Sequence, residues 1–206
     1  MRRRLCVGLL VAAVIGVTAR DAAGQETGTP MFKAPYRAFT KHEFGVAFSD
    51  PGSTANYALE GFYSYGQGTN DFGLRAGIED PEGAGSTRIL LGGSFRTRVL
   101  NYSESFPLDG ALTVGAGLNV GDGDDLIYLP VGLSLGRRFE LEGSHTTFTP
   151  YAHPVILPVL GASGGSDVKF ALGLGVDLRF SENWAARVSG GLGDLEGVGI
   201  GLTYVQ

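Results

Sequence analysis

The sequence holds three histidines, and two of them, His145 and His153, sit close together in GSHTTFTPYAHP with Ser144 directly before the first. A serine beside a histidine is the start of an activated nucleophile, but such a pair also needs a third group to orient the imidazole. Neighbouring residues of a strand point to opposite faces. Ser144 and His145 can therefore cooperate only in a turn, and no orienting acid is spaced to help them. The run GDGDD offers Asp122, Asp124 and Asp125 to a cation, yet lacks the remaining ligands and the closing glutamate of an EF-hand loop. Glycine-rich runs such as GASGGS and GLGLG are followed by no lysine-serine or lysine-threonine pair and open no helix, so they form no phosphate loop. The sequence predicts no catalytic residue, no metal site and no cofactor.

The remaining candidates are charges set into apolar stretches. Glu43, Glu60, Glu79 and Asp177 fall on the same face of alternating runs as Arg75, Arg96, Arg98, Arg179 and Arg187, close to neutral in sum. Charges withdrawn from water must be paired or they cost several kcal/mol each. Arginine suits such pairing because its planar guanidinium meets a carboxylate through two bonds. Lysine is nearly absent from the same runs, with Lys169 at one edge. These nine residues are the expected charge network of an enclosed lumen.

Positioning them requires strands. Apolar residues recur at every second position over residues 43–49, 56–66, 71–79, 87–100, 110–120, 126–136, 147–160, 168–180, 184–192 and 197–205. Most connections are short and turn-like, among them GQGTN, GDGDD, SEN and GDLEG, so consecutive strands pair antiparallel. The expected fold is all-β, a single antiparallel up-and-down β-barrel of ten strands. Pro150, Pro154 and Pro158 strain the seventh run, since each removes a ladder donor. A bulge or broken pairing is expected there; departure of that run from the wall would leave eight strands.

One face of the runs is bulky and apolar (Phe44, Val46, Phe72, Leu74, Phe170, Leu172), while the other is largely glycine, serine and alanine with the charges above. A soluble barrel would place the bulky face inward and crowd its outside with Lys, Glu and Thr. A membrane barrel inverts this, with small residues filling a narrow lumen. Strand length agrees, because a tilted membrane strand takes about 9 to 11 residues. Aromatic residues near strand ends, including Tyr57, Tyr63, Phe72, Tyr128, Tyr151, Trp184 and Tyr204, are expected at the water–lipid boundary.

MRRRLCVGLLVAAVIGVTARDAAGQ has a basic start, an apolar run from Leu5 to Val17 and small residues at 22–24, the pattern of a cleaved signal peptide over residues 1–24. Cys6 sits at the start of the apolar run and not after it, so no lipid anchor is expected. Without residues 1–24, which hold four arginines and one aspartate, the chain has no cysteine, 12 basic and 20 acidic residues, and a net charge of −8. Disulfides are excluded and nucleic acid is a poor partner. Residues 25–41 carry Pro30 and Pro35 without periodicity and form an extended N-terminal arm, which Phe32 and Tyr36 could dock; residues 42–206 form the barrel domain.

A signal peptide, about ten alternating strands, tight turns and the final strand GVGIGLTYVQ resemble the small outer-membrane β-barrel proteins of diderm bacteria. In that family the last strand carries alternating apolar residues, as Val198, Ile200, Leu202 and Tyr204 do here, although Val205 and Gln206 follow the aromatic. The resemblance implies an outer-membrane location, contact with outer-membrane lipid, delivery by the barrel-insertion machinery and a monomer. The expected role is non-enzymatic: a structural barrel, or a restricted passage for small solutes. Two alternatives stay open, a lipid-modifying hydrolase like the outer-membrane lipid A deacylases, built around Ser144 and His145, and a soluble lipocalin-like binding barrel with its apolar face inward.

Overall fold

The computed structural model describes residues 32–206 apart from 53–54, 84, 104 and 123–124; the expected signal peptide and Asp124 lie outside the described residues. Ten antiparallel strands close into a barrel. They are β1 His42–Asp50, β2 Ala55–Gln67, β3 Asn70–Pro81, β4 Arg88–Leu100 and β5 Asp109–Val120, then β6 in two pieces, Leu126–Tyr128 and Val131–Gly136. The wall continues with β7 Thr147–Gly161, β8 Ser166–Arg179, β9 Trp184–Gly193 and β10 Gly197–Val205. A two-residue rung, Phe139–Glu140, pairs with the start of β7. Strand β1 closes the cylinder on β10 from Glu43↔Val205 to Asp50↔Val198.

Register keeps the bulky residues in step around the wall. Phe44 lies opposite Tyr63 and Tyr204, and Phe72 lies opposite Tyr65 and Phe95. A slip of one residue would reverse every side chain on a strand, so the alternation specifies the pairing. The apolar set faces outward: Leu74 is 66% exposed, Val198 60% and Phe170 59%, whereas Glu43 and Glu60 are each 2% exposed. The inward-facing apolar core required by a soluble binding barrel is absent from most of the wall.

The proline-bearing run stays in the wall, and the barrel has ten strands rather than eight. Its pairing with β8 is continuous from Thr147↔Arg179 to Leu160↔Ser166. The carbonyls of Pro150 and Pro158 point the other way, accepting from Arg137 N (3.4 Å) and Leu129 N (3.0 Å) on the β6 side. Spacing by four puts all three missing donors on that one edge. There β6 is interrupted at Leu129 and Pro130, and its pairing skips from Gly132↔Val155 to Leu135↔Ala152. The expected broken pairing is thus confined to one seam.

Aromatic pairs cluster at the rim that carries the chain ends: Phe72 with Phe95 (5.0 Å between centroids), Trp184 with Tyr204 (5.5 Å) and Phe139 with Phe148 (5.0 Å). The opposite rim carries a Phe48–Tyr57 stack at 6.2 Å. Tyr128 and Tyr151 correct the sequence expectation. They are 0% and 5% exposed and point inward, not to a boundary.

Candidate functional site

The lumen is the site, and the chain's own N-terminal arm occupies it. Gln206 O accepts from the backbone of Thr40 (3.0 Å), Lys41 (2.8 Å) and His42 (3.2 Å), which fixes the arm at the terminal rim. From there residues 32–39 run up inside the barrel without adding a rung to any strand. Arg37 donates to Asn70 O (2.8 Å) and Gly68 O (2.6 Å). Deeper in, the arm backbone is held by wall side chains. Arg96 donates to Ala34 O and, at 3.2 Å, to Tyr36 O; Ser134 donates to Lys33 O; Tyr151 donates to Phe32 O at 3.3 Å. Lys33 N donates to His153 Nδ1 at 3.1 Å, and the other ring nitrogen of His153 bonds Thr113 at 2.7 Å.

Phe32 ends the described arm in an apolar nest with Tyr128, Tyr151, Val155, Leu157 and Leu195. Gly173 makes room for it: a Cβ there would come within 2.0 Å of a Phe32 ring carbon. This nest explains why β7 is apolar on both faces, since its inward Val155, Leu157 and Val159 meet the arm and not lipid. Sequence periodicity alone gives no sign of it.

Of the nine expected network residues, Arg187 joins two acids, with Nη2 3.2 Å from Glu43 and Nε 3.0 Å from Asp177. Arg96 pairs with Asp71 at 2.7 Å, both side chains almost fully buried. Asp71 is not among the nine, although parity with Phe72 and Leu74 already places it on the inner face. Glu60 is buried and acts electrostatically on Arg75. Glu79 accepts from Asn119 at 3.2 Å, and Asn119 accepts from Arg88 at 2.5 Å. Arg98 stacks on the Tyr36 ring at 5.5 Å, as does Arg138 at 4.5 Å. Burial, then the neighbouring Asp109 carboxylate, push the Tyr36 hydroxyl up to about 12, so it stays neutral. Arg179 lies outside the network, donating to Ser181 O (3.2 Å) and Glu182 O (2.5 Å) in a turn at the terminal rim.

The sequence missed Lys33, whose Nζ donates to Ser94 Oγ at 2.7 Å in the middle of this network. Beside it is a cavity of about 50 Å³ lined by Lys33, Phe62, Ser64, Arg75, Ser94 and Arg187. That is room for a few water molecules.

Ser144 and His145 lie in the exposed turn after the Phe139–Glu140 rung. Ser144 Oγ donates to Leu141 O (3.3 Å), and His145 Nε2 is 3.9 Å from Glu182 with both side chains largely in solvent. The serine hydroxyl is thus bonded to backbone and not to the imidazole. Asp122 bonds Ser86 and Asp125 accepts from Gly121 N, and among the described residues no three His, Cys, Asp or Glu side chains form a metal-binding group.

No protein-family model matches the chain, and no curated protein matches it. Among solved structures it is similar to a bacterial polysaccharide outer membrane secretin, at 11% identity and a TM-score of 0.40, over 73% of this chain and 56% of that one. The chain therefore spans little more than half the length of that structure.

Proposed function

We propose that this chain is a monomeric, non-enzymatic β-barrel of the bacterial outer membrane, structural in its occupied state and open at most to small solutes. One observation carries the reading: the wall of a closed cylinder presents Leu74, Phe170, Val198 and their neighbours outward while Glu43, Glu60, Asp71 and Arg96 are buried inside. In water, so large an exposed apolar belt would drive aggregation. In lipid it is the expected solvent-facing surface, and closure pairs the strand edges everywhere but at the proline seam. The aromatic pairs at the terminal rim suit a headgroup boundary. On this reading both chain ends of the barrel domain face the periplasm, lipid is its standing partner, and the insertion machinery is its partner during biogenesis.

The test is cell fractionation together with heat-modifiable gel migration. The reading predicts that the chain stays with detergent-extracted outer membrane and migrates anomalously until boiled. Release from the periplasm by osmotic shock, with ordinary migration, would contradict it.

A further inference from the structure

We infer that residues 32–38 are a removable stopper, and that the lumen they vacate conducts small cations. The inference rests on the membrane reading above and adds a solute class and a means of control.

The arm is held differently from everything around it. Wall strands are joined by ladders, whereas the arm is held by scattered side chains: Tyr151, Ser134, Arg96 and His153 on its backbone, and the Phe32 ring in its nest. Withdrawing it breaks no wall pairing. The arm runs through the lumen from the terminal rim to the Phe32 nest, so its departure leaves a gap about as wide as a polypeptide over that length, which suffices for water and small ions. With the arm in place, a cavity of about 50 Å³ remains beside Lys33.

Charge decides which ions. Around Lys33 the lumen gathers three acids, Glu43, Asp71 and Asp177, and three cations, Arg96, Arg187 and Lys33 itself. Two of those cations belong to the wall and the third to the arm. The occupied cluster is neutral, and the vacated one carries one net negative charge. In a narrow lumen with low-dielectric walls an unbalanced carboxylate concentrates cations and repels anions. Elsewhere the balance does not move with Lys33, because Glu60 faces Arg75, and Glu79 is linked through Asn119 to Arg88. At the terminal mouth Arg98 and Arg138 lie near Asp109 and against the Tyr36 ring; neither is among the charges that act on Lys33, so the charge of that cluster is set without them.

The experiment is conductance across planar bilayers in a KCl gradient, with residues 25–206 as the parent. An ideal Cβ at Gly173 lies against the Phe32 ring carbon that bears its own Cβ, so a Phe32→Cys, Gly173→Cys pair is within disulfide reach. The oxidised pair should carry no unitary current, and reduction should restore the parent's level of openings. The chain lacking residues 25–38 should conduct continuously, with a reversal potential shifted toward that of K⁺. Adding Asp71→Asn to the shortened chain should move it back toward zero. If the shortened chain inserts and migrates as a closed barrel yet passes no current, or favours Cl⁻, the stopper inference is wrong and the membrane reading stands. A parent chain that does not insert into lipid overturns both.

Discussion

Arg96 binds Asp71 at 2.7 Å through Nε and, through Nη1, the backbone carbonyls of Ala34 and Tyr36, so one guanidinium joins the wall to the arm. Removing one partner of a buried pair leaves the other uncompensated, at a cost of about 3–5 kcal/mol. Arg96→Ala should therefore lower the urea midpoint of the barrel in micelles. It should also speed tryptic cleavage after Arg37, which is otherwise held against Gly68 and Asn70. Adding Asp71→Asn should recover most of the stability and none of the arm's protection. An unchanged midpoint in Arg96→Ala would mean that this pair is not sealed from water.

The wall makes an equally sharp claim at Leu74, which is 66% exposed near the middle of β3. An arginine on the lipid face at the membrane midplane costs about 2–4 kcal/mol. Leu74→Arg should lose that much stability when unfolding is followed from lipid vesicles. A solvent-facing position would tolerate the change within about 0.5 kcal/mol.

The seam beside β7 predicts an asymmetry between neighbouring positions. Pro154 directs its missing donor to the interrupted β6 edge, so Pro154→Ala should change stability little. Val155 points its N–H to the unbroken β8 ladder, where Ala171 lies opposite. Val155→Pro should cost several kcal/mol, because a lost ladder bond inside a membrane finds no water to replace it. Equal effects in thermal unfolding would show that the two edges of β7 do not differ.

His145 sits in an exposed turn with its neighbour Ser144 bonded to Leu141 O. A non-enzymatic barrel predicts that His145→Ala leaves the lipid A composition of the cell unaltered, as read by mass spectrometry. A change in acylation would favour the hydrolase.

How much of this was legible depended on what each residue's neighbours were. Alternation over Phe44, Val46 and Phe48, or over Phe72, Leu74 and Ile78, reports a wall with unlike solvents on its two sides, and those strands and their faces could be read directly. Alternation fades in β7 because Val155, Leu157 and Val159 meet the arm's Phe32 nest, a contact between residues more than a hundred positions apart. No local pattern carries such a contact. The arm itself, short and aperiodic, gave Phe32 and Tyr36 as candidates to dock, but not Lys33 or the wall residues that receive it. Asp71 was within reach of the parity rule. Arg179 was not separable from the network by parity, since its turn contacts at Ser181 and Glu182 depend on how the strand ends.

The orientation of the wall is tested most directly by placing the fluorophore on it. The sequence has a single tryptophan, Trp184. In a Trp184→Phe background carrying Leu74→Trp, fluorescence from lipid vesicles should be strongly quenched by bromine atoms attached midway along the acyl chains and hardly affected by iodide in the buffer. Quenching by iodide with none from the brominated chains would place the apolar face of the barrel in water and contradict the account.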